Sequence, residues 1–222
     1  PERFLRLSGQ HIQTRPIKGT RTRDVDPQRD AQLAYELQSS EKERAELVMI
    51  TDLLRNDLGR VCEFGSVQVP ELMRLERFAQ VQHLVSTVEG RLRAGHSHLA
   101  ALRDCFPGGS ITGAPKFRAM EIIDELEPER RGIFGGAVGY ISWNGNMDTA
   151  IAIRTAVVKD GRLFIQAGAG VVADSIPRLE WKETVNKARA MFRAAAFAEQ
   201  GLRYVETFPE NPRDTAGKAG GV

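Results

Sequence analysis

Lys18 sits in Thr14-Arg15-Pro16-Ile17-Lys18-Gly19-Thr20-Arg21, between a proline-fixed backbone and a glycine, with Arg15 and Arg21 on either side. Neighbouring positive charge destabilises an ammonium, so a lysine in that setting is a candidate nucleophile near neutral pH. The alternative is a basic surface turn. Two glutamate pairs, Glu43/Glu46 and Glu180/Glu183, have the three-residue spacing that puts both carboxylates on one face of a helix. Lys187 follows one turn after Glu183 and can neutralise an anionic ligand. Facing one cleft, the pairs suit a hard divalent ion such as Mg²⁺, which takes one or two carboxylates plus water and substrate oxygens. Facing solvent, they are ordinary charged helix surface.

Two glycine stretches offer backbone donors. Phe106-Pro107-Gly108-Gly109-Ser110-Ile111-Thr112-Gly113-Ala114-Pro115-Lys116 opens a helix, where free N–H groups favour an anion; it lacks the spacing of a nucleotide-binding P-loop. Gln166-Ala167-Gly168-Ala169-Gly170 follows a strand, and Gly168 and Gly170 let the backbone approach a ligand closely. His83, in an alternating strand, can serve as acid, base or hydrogen-bond donor, or simply as a core or surface histidine. Arg154, in Ala150-Ile151-Ala152-Ile153-Arg154-Thr155, reads as an arginine inside an apolar strand. It needs an anionic partner, either a structural carboxylate or a ligand's.

These residues need elements to hold them. Residues 3–14 alternate like strands around a turn at Ser8-Gly9-Gln10, and Asp24 to Pro27 leads into helical spacing over 28–40. A second helix is expected from about Glu41 to Leu54, stopping near Leu58 with Gly59 as its C-terminal cap. Strands follow over 65–92, a short helix over 97–105 and a helix over 116–126. A meander of 133–143, 147–158 and 162–168 turns at Asn144-Gly145-Asn146 and Asp160-Gly161. The last helix starts near Ser175, with Pro177 in its first turn, and runs to about Ala198. Residues 1–200 read as one catalytic unit and 201–222 as a disordered tail, rich in Pro, Gly and charge towards its end.

Bulk properties narrow the class. With 222 residues, 41% hydrophobic and 27% charged, the chain suits one soluble globular domain. A net charge of +2 gives no push towards nucleic acid or a membrane. Cys62 and Cys105 lack metal-type spacing and read as a reduced pair, which with no span-length apolar run implies a cytoplasmic protein.

Taken in order, Pro16-Ile17-Lys18-Gly19-Thr20, Glu43-Arg44-Ala45-Glu46 leading to Asp52-Leu53-Leu54-Arg55-Asn56-Asp57-Leu58-Gly59-Arg60, Val81-Gln82-His83-Leu84-Val85-Ser86-Thr87-Val88, the 106–116 loop, Ala167-Gly168-Ala169-Gly170 and Glu180-Trp181-Lys182-Glu183-Thr184 resemble the chorismate-binding enzymes. The resemblance runs from Pro1 to about Ala198. It implies an α+β fold of antiparallel sheets packed face to face with outer helices, truncated at its N-terminus. The chain opens directly on a strand and reads as the C-terminal portion of a longer enzyme, inactive as an isolated fragment.

Lys18 selects a branch of that family. It resembles aminodeoxychorismate synthase component I, in the folate pathway that makes 4-aminobenzoate, because anthranilate synthases typically carry alanine there. That branch implies loss of the C4 hydroxyl of chorismate, a covalent adduct on Lys18 and displacement by ammonia to give 4-amino-4-deoxychorismate. The alternatives are anthranilate synthase component I or another chorismate enzyme, and a non-catalytic chorismate-binding fragment. By the same resemblance, Glu43, Glu46, Glu180 and Glu183 hold Mg²⁺. His83, Thr112, Arg154, Gly168, Gly170 and Lys187 hold the substrate, and Glu2 handles the proton beside Lys18. The implied partner is a glutamine amidotransferase subunit, component II, that supplies ammonia.

Overall fold

Leu5 and Leu7, then Ile12 and Thr14, occupy alternating positions and are all buried, which commits one face of their strands to a core. The structure, a computed structural model, describes residues 2–201. Its elements are β1 (Arg3–Ser8), β2 (His11–Arg15), β3 (Ile17–Thr22), α1 (Pro27–Ser39), α2 (Glu41–Val61), β4 (Gln68–Arg77), β5 (Val81–Arg91), α3 (His98–Cys105), α4 (Lys116–Leu126), β6 (Ala137–Ile141), β7 (Met147–Ile151), β8 (Ala156–Lys159), β9 (Arg162–Ile165) and α5 (Pro177–Glu199). The architecture is α+β with antiparallel sheets, as the sequence implied. A seven-stranded sheet carries β4 on one edge of β5 and β2 with β3 on the other, then β1, β7 and β6. The β8–β9 hairpin, turning at Asp160-Gly161, is a separate two-stranded sheet. The tail beyond residue 201 lies outside the described residues.

The register explains where Lys18 points. His11↔Arg91 and Thr14↔Val88 in β2 continue in step to Ile17↔Val85 and Lys18↔Leu84 in β3, and Ser86 donates to the Pro16 carbonyl at 3.1 Å. Thus β2 and β3 form one strand, broken only where Pro16 lacks an N–H. The segment read as a turn is strand. Ile12, Thr14, Pro16 and Lys18 share its core-facing side. Gly19 then makes a bulge at φ +73°, and a Cβ there would lie 2.6 Å from Leu37 Cδ1 of α1 and 3.2 Å from the Glu43 carboxyl of α2, so the strand passes hard against α1 and the start of α2 only as glycine.

Helix α2 lays Leu47, Ile50, Leu54, Leu58 and Val61 along its buried stripe. All but Leu47 join Phe4, Leu5, Leu7, Ile12, Val88 and Met147 in the main core. Ser40 caps its start through the Glu43 N–H. The helix runs past Gly59, correcting the expected stop, because Val61 is fully buried and packing outweighs the helix cost of glycine. A Cβ on Gly59 would meet nothing within 4 Å. Gly59→Ala is therefore expected to stabilise the protein by about 0.5–1 kcal/mol, read as a higher urea midpoint at unchanged slope.

The expected 147–158 strand is two strands in two sheets. The chain leaves the main sheet after Ile151, Ile153 N–H closes onto the Ile151 carbonyl at 2.8 Å, and Arg154 takes left-handed backbone at φ +54°. Arg154 therefore stands in a bend rather than in a strand.

Candidate active site

Glu2 is buried under the sheet's end, its carbonyl accepting from the Ile151 N–H at 2.9 Å and its Oε1 from the Ser110 hydroxyl. Burial pushes its carboxyl up to about 7, opposed by the Ser110 hydrogen bond and by the positive fields of Lys18 and Lys187. A carboxyl at that value carries a proton it can give up near neutral pH.

The loop that supplies Ser110 is tied down at several points. Lys116 donates to both Asp57 oxygens at 2.6 and 2.7 Å and to the Cys105 carbonyl at 3.2 Å. Arg131 donates to the Ile111 carbonyl, and Phe106 meets the Phe4 ring edge-on at 6.4 Å. Gly109 lies so close to α2 that a Cβ would come within 2.5 Å of Leu53 Cδ2. Lys116 thus anchors the loop rather than offering its charge to a ligand.

Lys18 projects from the shared strand face to Glu46 on α2, Nζ to Oε2 at 3.5 Å. Its sequence neighbours do not surround it with charge. Arg15 pairs with Glu76, and Arg21 pairs with Glu43 at 3.7 Å. The flanking charge is balanced by carboxylates: Arg15 lies on the opposite strand face with Glu76, while the Gly19 bulge brings Arg21 back to the Lys18 face, where it pairs with Glu43.

Helix α5 and the loop before it complete the cluster. Lys187 pairs with Glu183 at 2.6 Å and donates to the Gly168 carbonyl at 3.1 Å, while Arg154 donates to the Lys187 carbonyl. Burial lowers the Arg154 pKa, against the attraction of Glu183. A Cβ on Gly170 would stand 3.6 Å from Lys18 Nζ, so this loop closes over the lysine. Glu180 accepts from Ser175 at 2.9 Å and faces Lys42 of α2 at 3.6 Å.

Glu2, Lys18, Glu46, Arg154, Gly168, Gly170, Glu180, Glu183 and Lys187 therefore belong to one connected region. Glu43 stands at its margin with Arg21. His83 faces the strand instead, its Nδ1 near Thr20 Oγ1 at 3.1 Å and the Gly19 carbonyl at 3.3 Å. Thr112 returns its hydroxyl to the Gly108 and Gly109 carbonyls at 3.1 and 3.4 Å, closing its own turn. Ser110 and Lys42 were missed by sequence reading. The only signal for Lys42 was its four-residue spacing to Glu46, and Ser110 had none beyond lying in the glycine loop.

For a divalent ion, the donor set is hard carboxylate oxygen from two helices. The Lys42 ammonium already lies 4.0 Å from Glu46 Oε1 and 3.6 Å from Glu180 Oε1, a cation between carboxylates of α2 and α5. That chemistry fits Mg²⁺. Among the described residues no three Asp, Glu, His or Cys side chains converge tightly enough to enclose an ion. A separate groove of about 900 Å³, lined by Met49, Leu53, Asn56, Leu72 and Phe117, lies on another face of α2 and includes none of this cluster. No helix among the described residues is long and apolar enough to cross a membrane.

The family profile described as chorismate binding enzyme matches residues 1–193. Relatives named anthranilate synthase component 1 are 57% identical in Pseudomonas aeruginosa, over 91% of this chain, and 58% in Pseudomonas putida, over 90%. The chain spans 41% of the length of each. A crystal structure of anthranilate synthase component I from Streptococcus pneumoniae superposes with a TM-score of 0.78 at 46% identity, covering 86% of this chain and 42% of that one. These relatives overturn the aminodeoxychorismate synthase branch, and with it the folate and 4-aminobenzoate assignment. That choice rested on one side chain, the lysine at position 18 where alanine was expected of an anthranilate synthase. With residues 1–193 matched by the profile, the chain belongs to the chorismate-binding enzyme family.

Proposed function

We propose that the protein works as an anthranilate synthase component 1, converting chorismate and ammonia to anthranilate, pyruvate and water. The observation that carries the chemistry is the buried Glu2 carboxyl, titrating at about 7 and held by Ser110 between the fields of Lys18 and Lys187. The relatives' shared name supports the choice of product.

Each residue then has a task. Arg154 and Lys187 neutralise the dianionic substrate, with Gly168 and Gly170 letting it lie against backbone. Glu2 protonates the departing ring hydroxyl, so that it leaves as water, and Ser110 keeps the acid aimed. Lys18 acts through its charge, favouring the Glu2 carboxylate that remains. Ammonia forms the new bond at the ring carbon beside the carboxylate, as the ortho amino group of anthranilate requires. Loss of the side chain as pyruvate leaves an aromatic ring.

Mg²⁺ held by Glu46, Glu180 and Glu183, with Glu43 adjoining, would supply positive charge to the substrate carboxylate. A second component, a glutamine amidotransferase, is the proposed ammonia source. Chorismate consumption by the whole protein tests this reading. Depletion is expected only with both ammonium and Mg²⁺ present, and consumption independent of ammonium would contradict amination.

A further inference from the structure

Every glutamate of the proposed metal site faces a cation of the chain itself: Glu43 faces Arg21, Glu46 faces Lys18 and Lys42, Glu180 faces Lys42, and Glu183 faces Lys187. Lys42 differs from the rest in three respects. It alone among these cations bridges carboxylates of both α2 and α5. Its side chain is 55% exposed, against 21% for Lys18, 33% for Arg21 and 32% for Lys187, so it has an open path to water. The two carboxylates it joins are only 16% and 12% exposed.

Two largely desolvated carboxylates from separate helices repel each other unless a positive charge lies between them. A divalent ion and an ammonium cannot share that position, since like charges at such range oppose each other. We infer that Lys42 is a resident counter-ion that competes with the divalent metal for Glu46 and Glu180, holding α2 and α5 in register and swinging out to solvent when the ion arrives. Lys42 is thus a positioning residue that sets metal affinity. This inference rests on the proposed metal site.

Mn²⁺ titration of the whole protein, reading free Mn²⁺ by electron paramagnetic resonance, tests it without recourse to turnover. Losing two partly exposed ion pairs that the metal would otherwise break is expected to tighten Mn²⁺ binding about tenfold in Lys42→Met. Lys42→Arg, which keeps the charge, stays near wild type, and Lys42→Gln serves as the second neutral variant. Unchanged or weaker binding in both neutral variants overturns the inference, because a lysine that merely braces the helices would lower affinity when removed. Glu183→Gln separates the two levels. If it weakens Mn²⁺ binding while Lys42→Met changes nothing, the metal site stands and the counter-ion role falls; if it too has no effect, both fall.

Discussion

Replacing Glu2 by glutamine is expected to lower turnover by about a hundredfold to ten-thousandfold, the range for removing a positioned general acid. Glutamine keeps the shape and accepts from Ser110 but cannot deliver the proton. The pH profile carries the sharper expectation. The acid is protonated below about 7, so wild-type kcat/KM falls as pH rises through that value, and Glu2→Gln loses that limb. Ser110→Ala removes a contact that favours the carboxylate, so the limb moves to higher pH. Stability follows the same proton. The folded chain holds it up to about 7, whereas the unfolded chain releases it near 4.5, so this group's contribution to stability is greatest below 4.5 and falls by about 3 kcal/mol as pH rises from there to about 7. Urea unfolding across that range checks the sign, and Glu2→Gln flattens the dependence. A limb near 7 that survives in Glu2→Gln would assign the acid to another residue.

Lys116→Met is expected to cost about 3–5 kcal/mol, the usual price of leaving a buried charge unpaired. Asp57 is 4% exposed and Lys116 10%, and burial already raises the Asp57 pKa against the pull of Lys116. A loss of that size is a large part of the whole stability of a domain. The double variant Asp57→Leu/Lys116→Met returns most of it, since the isolated charge is then gone. Because the same loop presents Ser110 to Glu2, Lys116→Met also moves the pH limb, as Ser110→Ala does. Denaturant unfolding of the two variants beside the unsubstituted protein measures the first effect. A loss below about 1 kcal/mol would show that the pair does not anchor the loop.

The parts of this site written in local pattern were legible in the sequence. The buried stripe of α2 and the glutamate pairs on α2 and α5 follow helical spacing, and the Asp160-Gly161 hairpin follows turn chemistry. Contacts between distant segments were not. Ser110 and Glu2 lie 108 residues apart, and Lys116 and Asp57 lie 59 apart, so no spacing rule joins them. Local cues also misled where packing overrode them. Gly59 looked like a helix stop, but Leu58 and Val61 hold the next turn in the core. Pro16 and Gly19 looked like a turn, yet one only interrupts hydrogen bonding and the other forms a bulge within a continuous strand. The charge around Lys18 was misjudged because the carboxylates that balance Arg15 and Arg21, Glu76 and Glu43, come from distant segments.

The most direct measurement is identification of the product formed by the whole protein from chorismate, ¹⁵N-ammonium and Mg²⁺. Anthranilate with ¹⁵N on the ring carbon beside the carboxylate, released with one equivalent of pyruvate, is the expected result. A product bearing nitrogen at C4, with the enolpyruvyl side chain retained, would contradict it.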